Sequence, residues 1–68
     1  MATIEVQING ESRVVLSTTV FELLEELKLQ DKRVAIEQNR EIVSRDCYKE
    51  TPLTPGDSIE VVHFVGGG

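Results

Sequence analysis

Hydrophobic and polar positions change period along the chain, and each change marks an element. Ile4, Val6 and Ile8 alternate with Thr3, Glu5 and Gln7, the period of two that a half-buried strand shows. Asn9-Gly10 follows. That dipeptide predicts a two-residue hairpin, because both central positions of a type I′ turn need positive φ. A second strand is expected over 11–16, with Val14 and Leu16 inward and Glu11, Arg13 and Val15 outward. The period then lengthens. Val20, Leu23, Leu24 and Leu27 fall at i, i+3, i+4 and i+7, the apolar stripe of a helix. Thr19 and Glu22 have the spacing of a capping box at its start. Glu22, Glu25 and Glu26 should fill the solvent side, with Lys28 near the C-terminal end, where the helix dipole favours a cation.

Alternation returns at 33–38, with Val34 and Ile36 inward and Ala35 and Glu37 outward. Asn39-Arg40 makes a turn into a short apolar piece, Ile42-Val43. Residues 44–53 are irregular, with one helical turn expected around 46–48, and Tyr48 and Leu53 should close the core beneath them. In Thr54-Pro55-Gly56-Asp57, proline presets φ at the second position and glycine supplies the positive φ of a type II turn at the third. A last strand follows over 58–65. The order strand, strand, helix, strand, short strand, strand is an α+β layout. It predicts a β-grasp: a mixed sheet of four to five strands packed on one main helix, the first and last strands parallel at its centre. Residues 1–65 then form a single domain and 66–68 a flexible glycine tail.

Length and composition narrow what such a fold does. A chain of 68 residues supports one small core and leaves little room for an enclosed substrate pocket. Twelve acidic against seven basic residues give a net charge of −5, which argues against binding a phosphate backbone. No signal peptide and no membrane span are expected, since no apolar run approaches about 20 residues. The single cysteine, Cys47, suits a reducing, cytoplasmic setting and is expected to be an inert, semi-buried thiol. One histidine and one cysteine exclude a Cys/His metal cluster within the chain. His63 is expected to be partly exposed at the end of the last strand. Ser44, His63 and an acid have no spacing that supports a catalytic triad.

The last strand breaks its own pattern. Ile59 and Val61 should face the core, yet the opposite face carries Glu60, Val62 and Phe64. Phe64 is one of only three aromatic residues in the chain, so a solvated face is a poor place for it. Exposed apolar groups beside a polar rim mark a partner surface. Gly66, Gly67 and Gly68 end the sequence. They have no following helix or lysine and are not a phosphate loop. They suit either a frayed end or a thread: three residues span about 10 Å, and without Cβ atoms they enter a channel too narrow for other residues. The thread would deliver the α-carboxylate of Gly68. A carboxylate is a poor electrophile until a nucleotide-binding partner converts it to a mixed anhydride with AMP.

The helix opening Val20-Phe21-Glu22-Leu23-Leu24, the segments Asn39-Arg40-Glu41-Ile42-Val43-Ser44-Arg45 and Pro55-Gly56-Asp57-Ser58-Ile59-Glu60, and the ending Val61-Val62-His63-Phe64-Val65-Gly66-Gly67-Gly68 together resemble the ubiquitin-like sulfur carriers of the ThiS/MoaD family, ThiS-type members above all. The resemblance covers essentially the whole chain. It implies a sulfur carrier of thiamine biosynthesis and not an enzyme. A ThiF-like adenylating enzyme, using ATP and magnesium, would activate Gly68. Sulfur from cysteine, supplied through a desulfurase, would then convert it to a thiocarboxylate for a ThiG-like thiazole synthase. Gly66, Gly67, Val62 and Phe64 would contact partners, and the chain itself would hold no cofactor or metal. Ser44 departs from the proline common in the family. The alternatives are a carrier for molybdopterin or another sulfur pathway, a ubiquitin-like modifier joined through Gly68, and an interaction domain with an inert tail.

Overall fold

The structure, a computed structural model, describes residues 3–64; Val65 and the glycines 66–68, with every role expected of them, lie outside the described residues. The elements are β1 (Ile4–Ile8), β2 (Glu11–Val15), α1 (Val20–Glu26), β3 (Val34–Gln38), β4 (Glu41–Val43), a 3-10 helix (Arg45–Glu50) and β5 (Ser58–His63). They form one five-stranded sheet in the order β2-β1-β5-β3-β4. β1 and β5 run parallel, and the other neighbouring pairs are antiparallel. With α1 packed on one face, this is the β-grasp arrangement the element order predicts.

Both hairpins turn on asparagine. Asn9 and Gly10 have φ of 51° and 84°, and Asn39 and Arg40 have φ of 53° and 74°, the paired positive values of a type I′ turn. Gly56, at φ 88°, supplies the positive φ expected after Pro55. The core gathers Val6, Ile8 and Val15 from the first hairpin, Ile36, Ile59 and Val61 from β3 and β5, and Val20, Leu23 and Leu24 from α1. Tyr48 and Leu53 close it from the segment after β4, as the sequence predicts. Full burial of an aliphatic side chain such as Leu23 contributes about 1.5–3 kcal/mol, which makes α1 the main cover of the sheet.

The inward set of β2 is the reverse of the expected one. Val15 is 2% exposed, whereas Val14 and Leu16 are 64% and 51% exposed. The hairpin register is the cause. A two-residue Asn9-Gly10 loop pairs Ile8 with Glu11, Val6 with Arg13 and Ile4 with Val15. Directly paired residues share a face, so Val15 must accompany Ile4, Val6 and Ile8. Hydrophobicity alone favours Val14 and Leu16; turn length overrules it.

The helix ends also depart in detail. Thr19 caps α1, its hydroxyl accepting from the Glu22 N–H at 3.1 Å. The Glu22 carboxylate reaches back chiefly to Thr18, accepting from its N–H at 2.8 Å and its hydroxyl at 2.7 Å, with the Thr19 N–H a lesser influence on it. Glu26 is not simply a solvent-side residue either. It accepts from the Leu16 N–H, the Ser17 N–H and the Ser17 hydroxyl, and so ties the β2–α1 connection to the helix. Lys28 is not a cation in the last helical turn. It sits just past the Leu27 cap at φ 61°. Its N–H donates to the Glu25 carbonyl and the Leu29 N–H to the Leu24 carbonyl, at 3.0 and 2.7 Å, the Schellman pairing.

A lysine in this left-handed position carries steric strain that glycine lacks. Lys28→Gly is therefore expected to raise stability by about 0.5–1 kcal/mol. The midpoint of urea unfolding should rise with an unchanged slope. An unchanged or lower midpoint would contradict it.

Candidate functional site

The last strand carries the candidate surface, so its seating comes first. At its foot, Asp57 is 6% exposed and accepts from the Thr54 N–H, the Thr54 hydroxyl, the Gln38 amide and the Asn39 amide at 2.8–3.0 Å. Burial pushes the Asp57 carboxyl up. Hydrogen bonds from Asn39, the Thr54 N–H and hydroxyl, and Gln38 outweigh burial and hold it below the ordinary carboxylate value. Further along, the two turn asparagines reach β5 from either side. The Asn9 side-chain carbonyl accepts from the Val61 N–H at 2.8 Å, and that of Asn39 accepts from the Ser58 N–H at 2.9 Å. Glu22 is likewise held low, by the Thr18 N–H and then the Thr18 hydroxyl.

Along β5, Ile59 and Val61 are buried, while Val62 and Phe64 are 50% and 62% exposed. Both expected partner-surface residues thus lie open to solvent. Val62 pairs with Ala35, and in the next row Glu60 pairs with Glu37, which pairs with Ile42. Paired residues share a face, so Ala35 and Ile42 join Val62 on the outer side of the sheet. Ile42, at 77%, is the most exposed large hydrophobic residue among those described. Beyond His63 the strand ends, with the Phe64 N–H donating to the Arg33 carbonyl at 3.0 Å. There Phe64 forms one wall of an open groove of about 530 Å³. Ile42, Val43 and Tyr48 line it with Arg33 and Arg45.

Sequence reading missed Ile42, Ala35 and the two arginines as parts of this surface. Ile42 was legible as apolar, but its face depends on the pairing of β3 with β4. The arginines come together only because the 3-10 helix folds back beside the end of β5. Of the other residues weighed from sequence, His63 is exposed at the end of β5, as expected. Ser44 caps the 3-10 helix without a side-chain hydrogen bond to it. Cys47 is exposed rather than semi-buried; on that short helix it is Tyr48, the next residue, that turns into the core. Among the described residues no group of three or more His, Cys, Asp or Glu side chains is arranged to hold a metal ion. No helix among them is long and apolar enough to cross a membrane. The arrangement offers an exposed apolar face on the outer side of the sheet.

The seating of β5 is testable through pH. Asp57 has a folded pKa below its unfolded value, so it stabilises the fold above about pH 4 and loses that contribution as pH falls through the folded pKa. Asp57→Asn sets an amide against groups that all donate. It should cost about 1–3 kcal/mol at pH 7. The difference from the parent should narrow below about pH 4 as the parent's carboxylate protonates. Urea titrations of both proteins at pH 7 and pH 3 check it; a pH-independent difference would contradict the assignment.

The chain matches known proteins in both sequence and structure. The model of the ThiS family matches residues 6–68. A sulfur carrier protein ThiS from Bacillus subtilis is 46% identical over 50 residues, covering 74% of this chain and 76% of that one. A thiazole synthase from Paramagnetospirillum magneticum is 45% identical over 62 residues, covering 90% of this chain; the chain spans 19% of that protein's length. The crystal structure of a thiamine biosynthesis protein, ThiS, from Geobacter metallireducens superimposes with a TM-score of 0.82 at 33% identity, covering 96% of this chain and 100% of that one.

Proposed function

The chain belongs to the ThiS family, and on that footing we propose that it is a sulfur carrier of thiamine biosynthesis that acts through the α-carboxylate of Gly68. The observation that carries this reading is the family match, which runs through the glycines to Gly68 itself. The outer face around Val62 and Phe64 supports it, because it places an apolar contact surface immediately before those glycines.

The chemistry belongs to the partners, and the chain is their substrate. A ThiF-like enzyme binds ATP with magnesium. A carboxylate oxygen of Gly68 attacks the α-phosphorus and pyrophosphate leaves, giving an acyl-adenylate. Sulfur drawn from cysteine through a desulfurase arrives as a persulfide; its terminal sulfur adds to the acyl carbon as AMP departs, and a second thiol then splits the acyl disulfide, leaving the thiocarboxylate and a protein disulfide. Carboxylate, ATP, persulfide and thiol thus become thiocarboxylate, AMP, pyrophosphate and disulfide. A thiazole synthase takes up the sulfur, in keeping with the thiazole synthase among the relatives. Gly66 and Gly67 thread the partner's channel, where a Cβ would obstruct. Val62 and Phe64 dock on its surface.

Intact mass of protein taken from cells should show a fraction with one terminal oxygen replaced by sulfur. With the adenylating enzyme and ATP, the purified chain should form an acyl-adenylate, and deletion of Gly68 should abolish it. An isopeptide product on lysines in place of a thiocarboxylate would overturn the carrier reading. Phe64→Asp should lower kcat/KM for adenylation about tenfold or more with an unchanged circular dichroism spectrum. Loss of folding instead would place Phe64 in the core.

A further inference from the structure

The groove beside Phe64 has a charge that the rest of the molecule does not. The chain carries a net charge of −5, yet the groove is lined by Arg33 and Arg45 and by no carboxylate. Arg45 is exposed and, among the described residues, has no hydrogen-bond or ion-pair partner. Apart from Ser44, the remaining groove walls are formed mainly by Ile42, Val43, Tyr48 and Phe64. Neither arginine belongs to the core, which α1 and the 3-10 helix close through Leu24 and Tyr48. One row toward the middle of the sheet the sign reverses. Glu37 and Glu60 face each other directly across β3 and β5, a pairing that costs stability and repels any acidic surface laid on that row.

Chain length then limits what covers the groove. Gly68 lies four residues beyond Phe64, and four extended residues reach at most about 14 Å. An enzyme that closes around the Gly68 carboxylate is therefore held within about 14 Å of Phe64, and so near this groove.

We infer that the Arg45 groove is a docking site for the enzyme that activates Gly68, and that it takes an apolar projection of that enzyme flanked by carboxylates. Two terms select the partner. The apolar walls supply contact area, and Arg45 at one rim attracts carboxylates while Glu37 and Glu60 exclude them from the other. Opposed rims of this kind fix orientation and discriminate among partners more than they add raw affinity. Arginine suits the position because its planar fork grips a carboxylate at two points and is weakly hydrated. The inference rests on the carrier reading, since it is the activation of Gly68 that brings the enzyme here.

The test is steady-state adenylation with the ATP-dependent adenylating enzyme of the same organism, the chain being the varied substrate. Arg45→Glu should raise KM about tenfold or more with kcat little changed. Arg45→Lys should recover part of the loss. Arg13→Glu, an equal change of charge on the distant edge strand β2, should leave KM unchanged. Raising the salt concentration should weaken the parent more than Arg45→Ala, because the attraction is screened. Unfolding curves for each variant separate docking from folding. If the parent is adenylated and Arg45→Glu, still folded, keeps the parent KM, the inference is wrong, even if sulfur transfer to a thiazole synthase falls. If the parent is never adenylated by an enzyme active on another carrier, the carrier reading itself has failed.

Discussion

Strand β5 enters the sheet parallel to β1 and antiparallel to β3, and its backbone is gripped from both sides by asparagines that belong to turns. The parallel pairing in register is short, Gln7 with Ser58 and Ile8 with Ile59, because β1 ends at the Asn9-Gly10 turn. The Asn9 side chain continues the ladder by accepting from the Val61 N–H. Asn39 does the same for Ser58 on the other side, and Asp57 anchors the foot of the strand to Thr54, Gln38 and Asn39. Each turn asparagine thus serves twice, tolerating positive φ and pinning the central strand. Without that seat, neither the inner face of β5 nor its outer face would be defined.

The two faces of β5 answer to different demands. Ile59 and Val61 stabilise the fold by burial against α1. Val62, with Ala35 beside it, Phe64 and Ile42 are placed where burial cannot reward them within the monomer. Glu37 and Glu60 are set opposite one another. Local choices that lower stability are expected at surfaces used for recognition, since elsewhere local preference and fold agree. In a chain with so small a core, the docking surface proposed on the back of the sheet avoids the cost of hollowing the core for a pocket. The groove at the end of that face gives it a direction, with cations on one side and carboxylates on the other.

Sequence patterns located every element, because period two, period 3.6 and the turn dipeptides are local signals. They also exposed the misplaced Val62 and Phe64, since parity along one strand needs no knowledge of its neighbours. The reversed face of β2 shows where such reading fails. Val14 and Leu16 were the more hydrophobic alternating set, but the turn length made Val15 the partner of Ile4. Register outweighs hydrophobicity there, and the two-residue loop that sets the register is itself a local signal.

By itself, then, the sequence determined the elements, the outward parity of Val62 and Phe64, and a family resemblance that runs to Gly68. Those follow from short-range periodicity and from the order of residues along one chain. Tertiary structure decided what stands beside them. Ala35 and Ile42 came to the face through antiparallel pairing with β3 and β4. Arg33 and Arg45 came to one groove through the return of the 3-10 helix. Asn9 reached a strand 52 residues away. Each of these is a contact between segments distant in sequence, and it exists only once the core has closed and fixed their register.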